Sequence, residues 1–111
     1  MDYEGIIDTI VSASEEKKAE NIEVLKVSDL TTIADYFVIM NGNSKVQNQA
    51  IADEIIKKTG KKLLFGVEGY DLAEWILMDY GSVIVHIFTP EKREFYDLES
   101  LWADAEKILK R

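Results

Sequence analysis

The stretch Asp35-Tyr36-Phe37-Val38-Ile39-Met40-Asn41-Gly42-Asn43-Ser44 decides the fold class. Its first six residues form a nearly continuous apolar run, rich in aromatic and β-branched side chains. Such a run reads as a strand buried on both faces. Asn41-Gly42 breaks it. Ser44 followed by Gln47 fits a capping box, so a helix begins at Ser44. Its inner face is Ile51, Ala52, Ile55 and Ile56, and Gly60 is its C′ residue. Lys61 to Val67 reads as a further strand. The strand, helix, strand unit from Asp35 to Val67 therefore predicts a right-handed parallel crossover.

Working outward, Tyr3, Ile6, Ile7, Ile10 and Val11 have the one-face spacing of an amphipathic helix, with Asp2 as its N-cap. Lys17 and Lys18 then fall near its C-terminal dipole. Ile22 to Val27 reads as a strand, and Asp29 to Ala34 as a connection. Beyond the loop Glu68-Gly69-Tyr70-Asp71, Glu74 to Met78 and Ser82 to Thr89 read as two strands around Asp79-Tyr80-Gly81, a turn of hairpin length. Asp97 offers an N-cap. Leu98, Leu101, Trp102, Ala105, Ile108 and Leu109 recur at helical spacing, predicting a final helix. The order is α-β-β-α-β-β-β-α. It implies one α/β domain over residues 1–111, with about five strands in a mixed sheet and helices packed on it.

Composition narrows the function. The 111 residues include 13 basic and 21 acidic side chains, for a formal net charge of −8. The chain has one histidine, one proline and no cysteine. Lack of cysteine excludes a disulfide scaffold, a zinc ribbon and a thiol nucleophile. No apolar run approaches the length of a membrane span, and Met1 to Ile10 carries acids without bases, so a soluble cytoplasmic protein is expected. The acidic balance disfavours DNA, bare RNA and anionic membranes, and favours basic partners. Residues 1–55 carry 11 acids and 4 bases, whereas residues 56–111 carry 10 and 9.

Four groups of residues could carry chemistry. Asn41-Gly42-Asn43-Ser44 is a strand-to-helix turn of small residues that could hold a phosphate. It is not a Walker loop, since no Gly-Lys-Ser/Thr follows. A nucleotidyltransferase would also need paired carboxylates on the next strand, and Lys61 to Val67 has none. His86 lies in an apolar run, with no second histidine or cysteine to complete a metal site. Glu74 or Asp79 could orient it, but no nucleophile is spaced for it. The aromatic residues Trp75, Tyr80, Phe95, Tyr96 and Trp102 suit either core or interface; Trp102 falls on the helical stripe and reads as core. Lys57, Lys58, Lys61 and Lys62 could touch phosphate, though they also complement a helix C-terminus. Neither a catalytic residue, a metal site nor a cofactor is expected.

The hairpin register stays open at this point. A three-residue turn sets Glu74 opposite His86. A two-residue Tyr80-Gly81 turn sets Trp75 opposite His86. One slip exchanges the faces, so the register decides whether Trp75 and His86 share a patch.

Residues Trp75 to Phe88 resemble the Trp-x-x-x-Asp-[Tyr/Phe]-Gly-x-x-x-Val-His-x-Phe signature of the ribosomal silencing factor (RsfS, or Iojap) family. Arg93 to Ala105 is similar to the family's Arg-x-x-Tyr-x-Leu-Glu-x-Leu-Trp-x-Asp-Ala tail. Ala34 to Ile39 with Gly42-Asn43-Ser44, and Glu68-Gly69, resemble two further blocks in the same order. Met78 and Ser82 depart from the residues the family often has there, leucine and aspartate. The resemblance implies a nucleotidyltransferase-like fold without the catalytic carboxylates. It implies binding to the large ribosomal subunit through ribosomal protein number fourteen, blocking subunit joining and repressing translation when nutrients are scarce. Organellar relatives point to an alternative role in large-subunit assembly; a residual nucleotidyltransferase is a third reading. Carried over, the docking residues are Trp75, Ile76, Met78, Asp79, Tyr80 and His86. A homodimer is also compatible with the resemblance, and no obligatory small-molecule ligand is implied.

Overall fold

The computed structural model describes residues 3–110, with side chains from residue 5. Asp2, the expected N-cap, lies outside the described residues. The elements follow as α1 (Tyr3–Glu16), β1 (Glu20–Lys26), β2 (Tyr36–Asn41), α2 (Lys45–Thr59) and β3 (Gly66–Glu68), then β4 (Trp75–Asp79), β5 (Val83–Phe88), α3 (Pro90–Tyr96), α4 (Leu98–Leu101) and β6 (Glu106–Lys110). One six-stranded mixed sheet has the order β3-β4-β5-β2-β1-β6. The mixed α/β class is as expected, with one strand more than anticipated.

The sheet separates two apolar layers. On one face, Ile7, Ile10 and Val11 of α1 and Ile51, Ala52 and Ile55 of α2 pack on Val24, Val38, Met40, Val83, Val85, Ile87, Ile76 and Met78. On the other, Leu98 and Trp102 pack on Leu25, Phe37, Ile39 and Phe88. β2 alternates between the two layers, which is why its sequence is apolar throughout. Each fully buried Ile, Leu or Phe contributes roughly 1.5–3 kcal/mol, so the two-sided central strands β2 and β5 anchor the fold.

α2 begins as its sequence dictates. Ser44 Oγ accepts the Gln47 N–H at 3.0 Å, and Gln47 Oε1 accepts the Asn43 N–H at 2.8 Å. Gly60 closes the helix with its N–H on the Ile56 carbonyl. The crossover prediction needs correction. β2 and β3 do run in the same direction, but they are not neighbours: the parallel partner of β2 is β5. β3 is also only three residues, because 61–65 is spent on a turn and on reaching the sheet edge.

The last third departs most. Thr89 caps a helix that the sequence reading left unassigned, with Pro90 in its first turn, where a missing N–H costs nothing. Asp97, in the left-handed region at φ 47°, ends α3 and starts α4. Its carboxylate accepts the Ser100 hydroxyl at 2.6 Å rather than a helix amide. The predicted helix does not continue: 106–110 is a strand paired antiparallel with β1, Val24 opposite Leu109 and Lys26 opposite Glu106. A free edge of β1 offers a full ladder of backbone partners, and that overrides a helical apolar spacing. No helix among the described residues is long and apolar enough to cross a membrane.

Candidate partner-binding surface

The β4–β5 hairpin organises the site. Its register pairs Asp79 with Ile84, Leu77 with His86 and Trp75 with Phe88. Tyr80 N–H bonds to the Val83 carbonyl at 2.9 Å, so the loop is Gly81-Ser82. Gly81 has φ +82°, the glycine-first pattern of a two-residue hairpin loop. Asp79 Oδ1 accepts the Gly81 N–H at 2.7 Å and fixes the turn. Neither register weighed from sequence is the observed one. The face parity of the Tyr80-Gly81 alternative holds, and Trp75 and His86 do share a face, as diagonal neighbours.

That register separates the six expected docking residues. Ile76 and Met78 are fully buried under α1 and α2, and Tyr80 is 1% exposed. The Tyr80 hydroxyl pairs with Thr59 Oγ1 at 2.8 Å. Burial pushes this phenol's pKa up, and the Thr59 bond partly opposes the shift. Trp75, Asp79 and His86 point to the opposite face. There the α3–α4 layer stops short of β4, so Trp75, Leu77, Asp79 and Ile84 are half-buried rather than covered. Leu77 and Ile84 were not singled out from sequence. Strict alternation places them beside Trp75 once the register is known.

Trp75 is held from several sides. Its indole Nε1–H donates to His86 Nδ1 at 3.1 Å. Its ring stacks on Phe88 at 5.0 Å between centroids and touches Tyr96 at 4.6 Å. Gly69 lets the backbone approach closely: a Cβ there would lie 2.2 Å from the Trp75 carbonyl oxygen. This explains the Glu68-Gly69 block ahead of the tryptophan. Gly69, Leu72, Glu74, Trp75, Lys92 and Tyr96 line a hollow of about 120 Å³ at its edge. Glu74 is bridged there by Lys45 at 3.5 Å and Lys92 at 3.7 Å. Phe95 and Leu72, exposed at 75% and 62%, extend the apolar border.

His86 is 4% exposed. Accepting from Trp75 at Nδ1 requires the ring proton on Nε2. That Nε2 is buried and has no hydrogen-bond partner among the described residues. Phe37 meets the imidazole edge-on at 5.0 Å, and Trp102 meets Phe37 the same way at 5.2 Å. Burial lowers the His86 pKa to about 4. The ring is therefore neutral at neutral pH and acts as an acceptor behind the tryptophan.

The Asn41–Ser44 turn uses its own donors. Gly42 N–H bonds to Asn48 Oδ1 at 3.0 Å, and Asn48 Nδ2 bonds to the Ala73 carbonyl at 2.8 Å. The Asn43 amide is held by Gln47. The turn thus fastens α2 to the loop before Trp75. Among the described residues, no cluster of His, Cys, Asp or Glu could hold a metal ion.

A family model described as "ribosomal silencing factor during starvation" matches residues 2–111. This chain belongs to the ribosomal silencing factor family. A ribosomal silencing factor of Halalkalibacterium halodurans is 40% identical over 97% of this chain and 94% of its own. A mouse protein named for mitochondrial assembly of the ribosomal large subunit is 35% identical over 86% of this chain and 44% of its own. A crystal structure from Chromobacterium violaceum superposes with a TM-score of 0.86 at 33% identity, covering 93% of this chain and 88% of that one. Within the ribosomal silencing factor fold, the resemblance blocks fall on the elements that surround Trp75: the hairpin, its glycine buttress and the α3–α4 layer.

Proposed function

We propose that this silencing factor docks on the large ribosomal subunit, against ribosomal protein number fourteen, with the open face of β4 and β5. Seated there it blocks joining of the small subunit and lowers translation. The observation that carries the reading is the half-exposed Trp75, locked by His86 and flanked by Leu77, Asp79 and Ile84 where the α3–α4 layer stops short of β4. Rigid aromatic anchors beside partly buried apolar area are what interface hot spots use. Ile76, Met78 and Tyr80 serve from behind, holding the strand in place. The action is steric and needs no catalysis: a 12.7 kDa body at an intersubunit contact is obstacle enough.

The test is sedimentation of purified subunits with and without the protein. Wild type should keep the subunits apart. Trp75→Ala should weaken large-subunit binding by about thirtyfold or more, some 2 kcal/mol for a hot-spot residue, with an unchanged circular dichroism spectrum. Full subunit joining at saturating wild-type protein would remove the reading. The name of the mouse relative favours a second role, in large-subunit assembly. Precursor subunits accumulating in a deletion strain, with no anti-association effect in vitro, would put that role first.

A further inference from the structure

The segment from Lys57 to Phe65 takes no part in the docking face, yet it is fastened to the hairpin that carries that face. Thr59 Oγ1 meets the Tyr80 hydroxyl at 2.8 Å. The Phe65 N–H donates to the Asp79 carbonyl at 2.8 Å. The Phe65 ring lies over the hairpin turn, where a Cβ on Gly81 would stand 3.0 Å from it. The segment contains Lys57, Lys58, Lys61 and Lys62 and no acid. All four lysines are exposed. Lys58 leans on Glu54 at 3.8 Å, leaving Lys57, Lys61 and Lys62 without an ion pair among the described residues. Phe65 is 77% exposed.

In a chain of net charge −8, this is a local reversal of sign with an exposed ring at its C-terminal end. Lysines that track phosphates, beside an aromatic on which a base can stack, are the parts of a single-stranded nucleic-acid contact. Phe95 makes a useful contrast. It is as exposed, but its ring is already met by Lys92 at 5.5 Å, a cation that also bridges to Glu74, and Glu91 and Glu94 beside it would repel a phosphate. An acidic protein surface would use the lysines and leave Phe65 without a purpose. We propose that the α2–β3 segment, through Lys57, Lys61, Lys62 and Phe65, grips an unpaired RNA strand of the large subunit beside the protein on which the hairpin docks. This rests on the docking reading above. It resolves how an acidic protein approaches an RNA-rich surface: the hairpin carries a basic segment forward.

The experiment measures binding of the protein to purified large subunits across a salt series. It compares wild type with Lys57→Gln/Lys61→Gln/Lys62→Gln and with Phe65→Ala, all checked for unchanged thermal unfolding. Three lost phosphate contacts on a single strand should make the slope of log K against log salt shallower by about 2. Affinity at about 100 mM salt should fall at least about tenfold. Phe65→Ala should weaken binding by about fivefold or more with the slope retained, as loss of stacking requires. A photo-crosslinker at position 61 should label RNA. If wild type binds but the triple variant matches it in affinity and slope, the RNA contact is refuted and the dock stands. A crosslink to protein alone refutes it equally. If wild type does not bind the large subunit, the docking reading falls and this inference with it.

Discussion

At the residue scale, His86 does more than fill the core. Its Nδ1 needs to stay unprotonated to accept from Trp75, and burial lowers its pKa from 6.5 to about 4. The unfolded chain therefore takes up a proton near pH 6.5 that the folded chain refuses until about pH 4. In that window the unfolded state binds more protons, so stability falls as pH falls. Between pH 7 and pH 5 the loss should be about 2 kcal/mol. Urea unfolding of wild type and His86→Gln at both pH values measures it. The variant keeps an acceptor but cannot titrate, and should lose correspondingly less. Equal pH dependence of the two proteins would show that the buried imidazole is not responsible. The sequence exposed half of this. A lone histidine among Val85, Ile87 and Phe88 has no metal or nucleophile partner in the sequence, and it is buried with its neighbours. Its partner depended on a register two positions from one considered alternative, set by a turn shifted to Gly81-Ser82.

At the element scale, the α3–α4 layer is held to the sheet by Leu98 and Trp102 and by one part-buried cation. Arg93 is 12% exposed by side chain and pairs with Glu23, 8% exposed, at 3.1 Å. It also reaches Glu99 at 3.3 Å, Asn41 Oδ1 at 3.0 Å and the Asn21 carbonyl. Lys107 of β6 joins Glu23 at 3.3 Å. One guanidinium thus ties α3 to α4, β1 and β2, and its partner ties in β6. Removing it leaves Glu23 with Lys107 alone and takes away a charge-assisted hydrogen bond, a loss of about 1.5–3 kcal/mol. Arg93→Met should lower the urea midpoint accordingly, and Arg93→Met/Glu23→Met should recover much of the loss. A small, purely additive effect would mean that the pair is solvated. These tertiary ties explain why the last third was poorly legible. The Thr89-Pro90 start of α3 was available as a local signal. The strand 106–110 was not, because Ile108 and Leu109 fit a helical stripe, and only the open edge of β1 selects the extended form. By contrast, α2 was legible to within a residue, since its cap chemistry is contained in Ser44, Gln47 and Gly60.

At the scale of the whole molecule, charge and shape divide the work. The acid excess lies in residues 1–55, whereas the hairpin proposed to dock and the lysine segment belong to the nearly balanced remainder. Long-range charge acts on encounter, and short-range aromatic contact acts on residence. Binding to isolated ribosomal protein number fourteen, the proposed target without RNA, separates the two. Raising salt from about 50 to about 300 mM shrinks the screening length from more than 10 Å to below 8 Å. The association rate should then fall by about tenfold, while the dissociation rate, governed by Trp75 and its apolar neighbours, should change by less than about threefold. Stopped-flow measurement of tryptophan fluorescence reads both rates, since the proposed contact includes Trp75. The triple lysine variant should follow the wild-type curve in this assay, because no RNA is present to meet the lysines. An association rate indifferent to salt would remove the steering role of the acidic half, and a variant that departs from wild type here would place the lysines against protein instead.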